Sequence, residues 1–316
     1  MVGDTAQPGV RAPYPQAMDH DVALIVVTYN SATVVTDLLD SLPAALDGLV
    51  ADVLVVDNGS HDGTADLLAQ RPDCRVVRST NRGYAAGINL GVEHAGAAPA
   101  VVVLNPDVRL DAGAVRRLLE PLARPQVGIV APRVHAVDGS LHLSLRRTPT
   151  LARALGLSRT RIPALSEYVH EARAYEQPGP VDWALGAILA ISRDCLDDVG
   201  AWDESFFLYS EETDFCLRAS DRGWVTWYEP SATATHIGGA SGQNDFTHTL
   251  QILNRVRLYR RRSGPVAGFC YYVLTILSEA SWAIRGHHQS RTAIRALLRP
   301  STRPVEAEWG EGLVPA

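Results

Sequence analysis

The sequence predicts an α/β fold: a doubly wound, mostly parallel sheet with flanking helices and a C-terminal helical appendage. Three observations predict it. Short apolar, β-branched runs recur along the N-terminal half, and the stretches between them carry helical periodicity. Polar residues cluster just past four of those runs. Strands apolar on both faces are those covered by helices on both sides, and alternation of strand and helix favours parallel pairing.

The first run, Val22 to Thr28, reads V-A-L-I-V-V-T and predicts a buried strand. Ser31 to Leu46 predicts a helix with Val34, Val35, Leu38, Leu39 and Leu42 on one side. Val53 to Val56 is a second strand ending at Asp57, and Thr64 to Gln70 a second helix. Arg75 to Arg78 predicts a short strand, Gly83 to Ala95 a helix, Ala100 to Leu104 a strand and Asp111 to Leu122 a helix. The second half is less regular. Leu141 to Pro180 reads as a loop with short helices, Val181 to Ile191 as a strand, and Ser210 to Arg222 as a helix opening on acids. Trp224 to Tyr228 predicts a strand and Phe246 to Arg262 a helix with a basic end. Pro265 to Ser278 is an uncharged, mostly apolar run apart from its flanks, too short to span a bilayer unaided. Arg257, Arg260, Arg261, Arg262 and Arg285 flank it and suit anionic head groups. A core helix, or an oligomer interface, is the other reading of that run.

The chain has 316 residues, which suffices for one large domain and an appendage. We divide it into a flexible tail over 1–20, a main domain over 21–245 and a helical, membrane-associating region over 246–316. The tail is rich in Pro, Ala and Gly, with no apolar run of the kind a signal peptide carries. The net charge of −6 excludes a global basic field for nucleic acid. All 29 basic residues are Arg. Cationic contacts to phosphate must therefore come from Arg, His, a metal or backbone N–H groups. The four cysteines lack C-x-x-C spacing, so reduced thiols in the cytoplasm are expected.

In doubly wound sheets ligands bind beyond the carboxyl ends of the strands. The polar groups there are Thr28-Tyr29-Asn30, Asp57-Asn58, Asn81-Arg82-Gly83 and Asn105-Pro106-Asp107. Asp57 is able to accept from a nucleobase imide, or to serve a turn. Asp107, past a Pro-stiffened turn, is placed to bind Mg²⁺ or Mn²⁺ against a diphosphate, or to cap a helix. Glu211, Glu212 and Asp214 open a helix, where the dipole favours acids. One of them could equally serve as a general base with a raised pKa. His236, beside Gly238 and Gly239, is a candidate ligand to the same metal, or a structural histidine.

Seven segments stand in order: V-V-T-Y-N-S, V-V-D-N-G-S-H-D-G-T, N-R-G-Y-A-A-G-I-N, L-N-P-D-V, W-A-L-G-A, F-F-L-Y-S-E-E-T-D-F-C-L-R-A and H-I-G-G-A-S. Together they resemble the inverting glycosyltransferase family 2 with the GT-A fold, in particular its bacterial rhamnosyltransferase and galactofuranosyltransferase-like branch. The resemblance covers about Val22 to Arg262. It implies that Thr28, Tyr29 and Asp57 line a nucleoside pocket, with Asn30, Asn81, Arg82 and Gly83 along the donor. It implies that Asn105 and Asp107 replace the metal-binding D-x-D, with His236 a further ligand. Trp183 and Glu211 face the acceptor in this reading. Glu212 is the base, supported by Glu211 and Asp214. Two departures stand out: Asn105 offers only a neutral oxygen, and the usual E-D-x-D is E-E-T-D here.

The resemblance implies metal-dependent transfer of a sugar, with dTDP-rhamnose the first donor candidate, to a cell-envelope glycan or polyprenyl-linked acceptor at the cytoplasmic face of the plasma membrane. A degenerate member that binds nucleotide-sugar without turnover is the alternative that Asn105 keeps open. A dinucleotide-dependent dehydrogenase requires G-x-G-x-x-G after the first strand, and Thr28-Tyr29-Asn30-Ser31 has no glycine.

Overall fold

The computed structural model describes residues 20–238 and 244–308. The 1–20 tail, save His20, and the Gly239, Ala240 and Ser241 end of the last motif lie outside the described residues.

The strands are β1 (Val22–Thr28), β2 (Ala51–Asp57), β3 (Arg75–Arg78), β4 (Ala100–Leu104), β5 (Val108–Leu110), β6 (Val127–His135), β7 (Leu145–Arg146), β8 (Gly179–Val181), β9 (Trp183–Ala184), β10 (Ile188–Ser192) and β11 (Val225–His236). The helices are α1 (Val35–Leu46), α2 (Thr64–Leu68), α3 (Tyr84–His94), α4 (Ala114–Leu119), α5 (Leu151–Ala154), α6 (Arg193–Val199), α7 (Glu211–Asp221), α8 (Asp245–Ile284) and α9 (His288–Leu298).

The main sheet runs in the order β3-β2-β1-β4-β10-β6-β11-β5, with β8 added on β11. β3, β2, β1 and β4 are mutually parallel. β10 is antiparallel to both β4 and β6, and β11 is parallel to β6. Two reversals restore direction, so β6 and β11 run the same way as β1. The carboxyl ends of β1, β2, β4 and β11 therefore share one rim. The antiparallel strand β5 begins on it too.

Both faces of the sheet are buried. Along β1, Ala23, Ile25 and Val27 pack in one cluster with Ile88 of α3, while Val22, Leu24 and Val26 pack in the other with Leu38 and Leu39 of α1. This is why β1 reads as an unbroken apolar run. A third cluster joins Leu250, Leu253 and Val256 of α8 to Ala293, Ala296 and Leu297 of α9.

Several sequence expectations are corrected. Asp111 to Leu122 is only partly helical: β5 precedes it, because Val108–Leu110 finds a partner in the end of β11. Val181 to Ile191 is three strands, β8, β9 and β10, serving different pairings. The stretch from Phe246 to Ser278 lies in α8, whose two halves fold back on each other at Gly264 (φ +82°) before Pro265, with Glu279 bonded to His248 at 2.9 Å. Besides β5, four elements went unforeseen: β6, β7, α6 and α9. Three of the arginines before Pro265 have partners within the protein. Arg257 is buried and donates to the Ser205 carbonyl at 2.5 Å, while Arg261 and Arg262 pair with Asp203 and Asp221 at 2.7 and 2.9 Å.

Candidate active site

The rim gathers most of the residues singled out from sequence. Thr28 and Asp57 are cross-strand neighbours in the β1–β2 register, and the Thr28 hydroxyl donates to Asp57 Oδ1 at 3.1 Å. Ser60 fixes the same carboxylate, its N–H on Oδ2 at 3.1 Å and its hydroxyl on Oδ1 at 2.5 Å. Asp57 is thus buried but fully held. Tyr29 is 49% exposed just above it. Asn30 adopts φ +51°, and its Oδ1 accepts from the His61 N–H at 2.8 Å, tying the two strand ends together.

Asn81, Arg82 and Gly83 lead into α3. Asn81 Oδ1 accepts from the Gly83 N–H at 3.2 Å. Arg82 is turned to Glu204 in a 2.6 Å ion pair. Gly83 has φ +98°, and a Cβ there would lie 2.4 Å from the Phe207 carbonyl oxygen. Only glycine lets α3 start this close to the loop carrying the acids. The Tyr84 N–H donates to that same carbonyl at 2.8 Å.

Asp107 and His236 are far apart in sequence and meet through sheet register. β5 pairs β11 with His236 opposite Val108, and the Ile237 N–H donates to the Asp107 carbonyl at 2.9 Å. His236 Nε2 then lies 3.2 Å from Asp107 Oδ1. The other ring nitrogen, Nδ1, is buried without a hydrogen-bond partner. A carboxylate and an imidazole, both largely buried, form a donor pair suited to Mn²⁺ or Mg²⁺ whose remaining positions a diphosphate would fill. Among the described residues no group of three His, Cys, Asp or Glu side chains forms a complete protein cage. Asn105 stands at the end of β4, its N–H bonded to the Ala187 carbonyl at 2.9 Å.

The acids open α7. Tyr209 and Ser210 immediately before it both take positive φ, +67° and +75°, in consecutive left-handed conformations that disfavour L-residues. Asn254 of α8 holds this turn by donating to the Leu208 and Tyr209 carbonyls at 2.9 and 3.2 Å. Glu211 and Glu212 are both buried, and each has its Oε2 without a hydrogen-bond partner. Burial pushes the Glu211 carboxyl well above the usual range, and the adjacent Glu212 charge adds to it. Burial also raises Glu212, opposed by backbone N–H groups and the Arg146 guanidinium. Asp214 is raised by burial but engaged by Arg218, whose Nε donates to it at 2.6 Å. Gly186 lets β9's following turn approach: a Cβ there would sit 3.0 Å from the Glu212 Cβ. The half-buried Tyr84 hydroxyl, which donates to the Gly186 carbonyl at 3.3 Å, is pushed well up by desolvation, then by the charges of Glu211, Glu212 and Asp107. Tyr84 thus sits within the field of both acidic centres.

Trp183 lies at the start of β9, its Nε1 donating to the Arg147 carbonyl at 3.0 Å. Opposite it in register is Arg146, a buried arginine that the sequence did not flag. Its guanidinium sits 3.9 Å over the Tyr168 ring and 5.9 Å from the Trp183 ring. Among the described residues no carboxylate lies within ion-pair range of it. His142 was also missed. It stacks on His236 with centroids 5.6 Å apart, and burial, then His236 and Arg146, depress its pKa. Both come from the Leu141 to Pro180 segment, which carries no local motif. Only the tertiary fold reveals them.

Residues 23–179 match the family described as glycosyl transferase family 2. The N-acetylglucosaminyl-diphospho-decaprenol L-rhamnosyltransferase of Mycobacterium tuberculosis is 32% identical over 304 residues, 90% of this chain and 97% of that protein. This chain belongs to glycosyltransferase family 2. The transferase is also similar to the low-salt glycan biosynthesis hexosyltransferase Agl10 of Haloferax volcanii, 30% identical over 209 residues, 65% of this chain and 63% of the relative. Among solved structures, the mannosyltransferase PcManGT from Pyrobaculum calidifontis, in complex with GDP-Man and Mn²⁺, superposes with a TM-score of 0.55 at 17% identity, covering 95% of this transferase and 86% of that chain. GalNAc-T7 with UDP, GalNAc and Mn²⁺ gives 0.56 at 13% identity, covering 87% and 57%. These likenesses identify the GT-A glycosyltransferase fold.

Proposed function

We propose that this transferase moves one sugar, with L-rhamnose from dTDP-rhamnose the first candidate, from a nucleoside-diphosphate donor to a lipid-linked cell-envelope glycan, with inversion. The observation that carries the reading is the buried carboxyl pair Glu211–Glu212, each with one oxygen lacking a hydrogen-bond partner, close enough to Asp107 that all three charges act on Tyr84. The rhamnose assignment draws on the Mycobacterium tuberculosis relative, whose named acceptor is a sugar-diphospho-decaprenol.

In this reading Asp57, Thr28, Tyr29 and Asn30 receive the nucleoside, and Asn81, Gly83 and Asn105 line the donor's path. Arg82 joins them by exchanging Glu204 for a phosphate. Asp107 and His236 would hold a divalent cation, which when bound supplies neutralisation of the charge developing on the leaving diphosphate. Trp183 and Glu211 present the acceptor. The acceptor oxygen forms a bond to the anomeric carbon as the bond from that carbon to the diphosphate oxygen breaks, and Glu212 takes the hydroxyl proton. No covalent enzyme intermediate is needed. Asp214 positions α7 through Arg218. We assign residues 21–245 to catalysis, residues 246–316 to membrane association, and the protein to the cytoplasmic face of the plasma membrane.

The test is nucleoside-diphosphate release from a panel of nucleotide-sugars with a polyprenyl-diphosphate sugar acceptor and Mn²⁺ or Mg²⁺. Release from one donor, abolished in Asp107→Ala, supports the reading and names the sugar. Donor binding without turnover under every condition would instead favour a degenerate binder, the reading that Asn105 keeps open.

A further inference from the structure

Beyond Gly264, α8 has two unlike faces. Gly268, Tyr271, Thr275, Ser278 and Glu279 are buried against the protein. The opposite face exposes Val266 (79%), Phe269 (53%), Val273 (37%), Leu277 (56%) and Ile284 (86%). Their spacing follows the helical repeat, so they form one continuous stripe. Monomeric proteins seldom leave such a stripe uncovered.

Its borders are basic. Helix α9 packs on one flank, where the Tyr272 hydroxyl donates to the Leu297 carbonyl at 3.2 Å, and it carries the exposed Arg291 and Arg295. The loop after α5 packs on the other flank: Arg159 lies 4.8 Å over the Trp282 ring, and Arg285 5.2 Å from it. Between residues 263 and 305 there are five arginines, at 285, 291, 295, 299 and 303, and a single acid, Glu279. Glu279 is buried and bonded to His248 at 2.9 Å. The outer surface of this region is therefore predominantly cationic, with Asp245, which pairs with His288 and accepts from Thr292 of α9, and Glu306 the acids at its edge, in a chain of net charge −6.

We propose that the Val266–Ile284 stripe is a docking surface for an anionic lipid bilayer, with α8 lying in the interfacial plane and the arginines of α9 and of the loop after α5 on the head groups. The inference rests on the lipid-linked acceptor reading and gives it an address in the fold. The charge asymmetry selects the occupant: a second copy of the stripe would bring like charges together, whereas anionic head groups neutralise them. α8 is long and apolar enough by length and composition to cross a membrane. Its opposite face is buried at Tyr271, Thr275, Ser278 and Glu279, with Glu279 bonded to His248 at 2.9 Å, so this half of α8 lies on the bilayer instead. The head-group contacts differ from those expected from sequence, since Arg261 and Arg262 already pair with Asp203 and Asp221.

The test is flotation of the full-length protein with vesicles of phosphatidylcholine and phosphatidylglycerol in equal parts, and with phosphatidylcholine alone. The parent floats with the anionic vesicles, less with the neutral ones, and less as salt rises. Leu277→Glu, at an exposed position that leaves the fold intact by thermal unfolding, partitions about tenfold less. Arg295→Glu lowers binding only to anionic vesicles. Failure of the parent to float, or equal flotation of Leu277→Glu, overturns the proposal. So does a parent dimer in solution that Leu277→Glu converts to monomer, because a second copy then covers the stripe. Donor turnover, followed in the same proteins without vesicles, is retained by Leu277→Glu, so loss of docking and loss of the transferase reading are told apart.

Discussion

Glu212→Gln isolates the proposed proton transfer. Glutamine keeps the shape of the side chain and a carbonyl oxygen but takes no proton at any working pH. Glu212 is buried with Oε2 unpartnered, so the substitution breaks no hydrogen bond at that atom. A positioned general base contributes about 100- to 10,000-fold, so kcat falls by that factor, about 3–5 kcal/mol of barrier. The donor KM changes little, because the residues proposed to receive the nucleoside sit at the ends of β1 and β2. The parent's activity falls as pH drops through the pair's raised pKa, placing the acidic limb above the usual carboxylate range. The assay is nucleoside-diphosphate release with acceptor, followed across pH. Glu212→Gln within a few-fold of the parent on the plateau refutes the assignment, and collapse confined to Glu211→Gln moves the base to Glu211.

Three further outcomes follow from the same geometry. Glu211→Gln stabilises the protein at neutral pH by about 1–3 kcal/mol, since burial raises the folded pKa. The sign is fixed: the parent's stability from this group is complete below the unfolded carboxyl value and is lost as pH rises toward the folded one. Urea unfolding must therefore show the gain above that window and none below it. Gly83→Ala combines a positive φ with a 2.4 Å approach to the Phe207 carbonyl and lowers stability by about 3 kcal/mol, read by thermal melting. Asn254→Ala removes both hydrogen bonds that hold Leu208 and Tyr209, about 1–3 kcal/mol. Its kcat falls further than its unfolding temperature accounts for; a kcat unchanged at permissive temperature counts against a strained, catalytically placed turn.

The parts of the fold legible in the sequence are those whose burial is two-sided. β1 and β4 match their predicted spans because every position is buried, and the edge strand β3 matches through Val76 and Val77, half-buried in its pairing with β2. β6 escaped because Gly128 and Pro132 interrupt its apolar run. Its pairing with β11 absorbs the irregularity through register shifts. Helix α1 starts at Val35 rather than Ser31, since Ser31 is occupied in a turn whose carbonyl accepts from the Val34 and Val35 N–H groups. The rim residues were readable because strand ends are local features. Arg146 and His142 were not: each acquires its place only when β7 meets β9 or when β11 brings His236 alongside. Those are long-range events that no local pattern encodes.

The kinked helix α8 has a mechanical consequence. Its first half grips the turn before Glu211 at Asn254, and its second half carries the apolar stripe. The chain turns back at Gly264, so the two halves lie side by side: Glu279 bonds His248 at 2.9 Å and Tyr271 stacks on Tyr259 with ring centroids 4.2 Å apart. Only one helix-to-helix packing distance, about 8–10 Å, then separates the half that grips the turn from the half that carries the stripe. A bilayer that seats the stripe would hold the proposed catalytic carboxyls at a height fixed by that packed pair rather than by a tether.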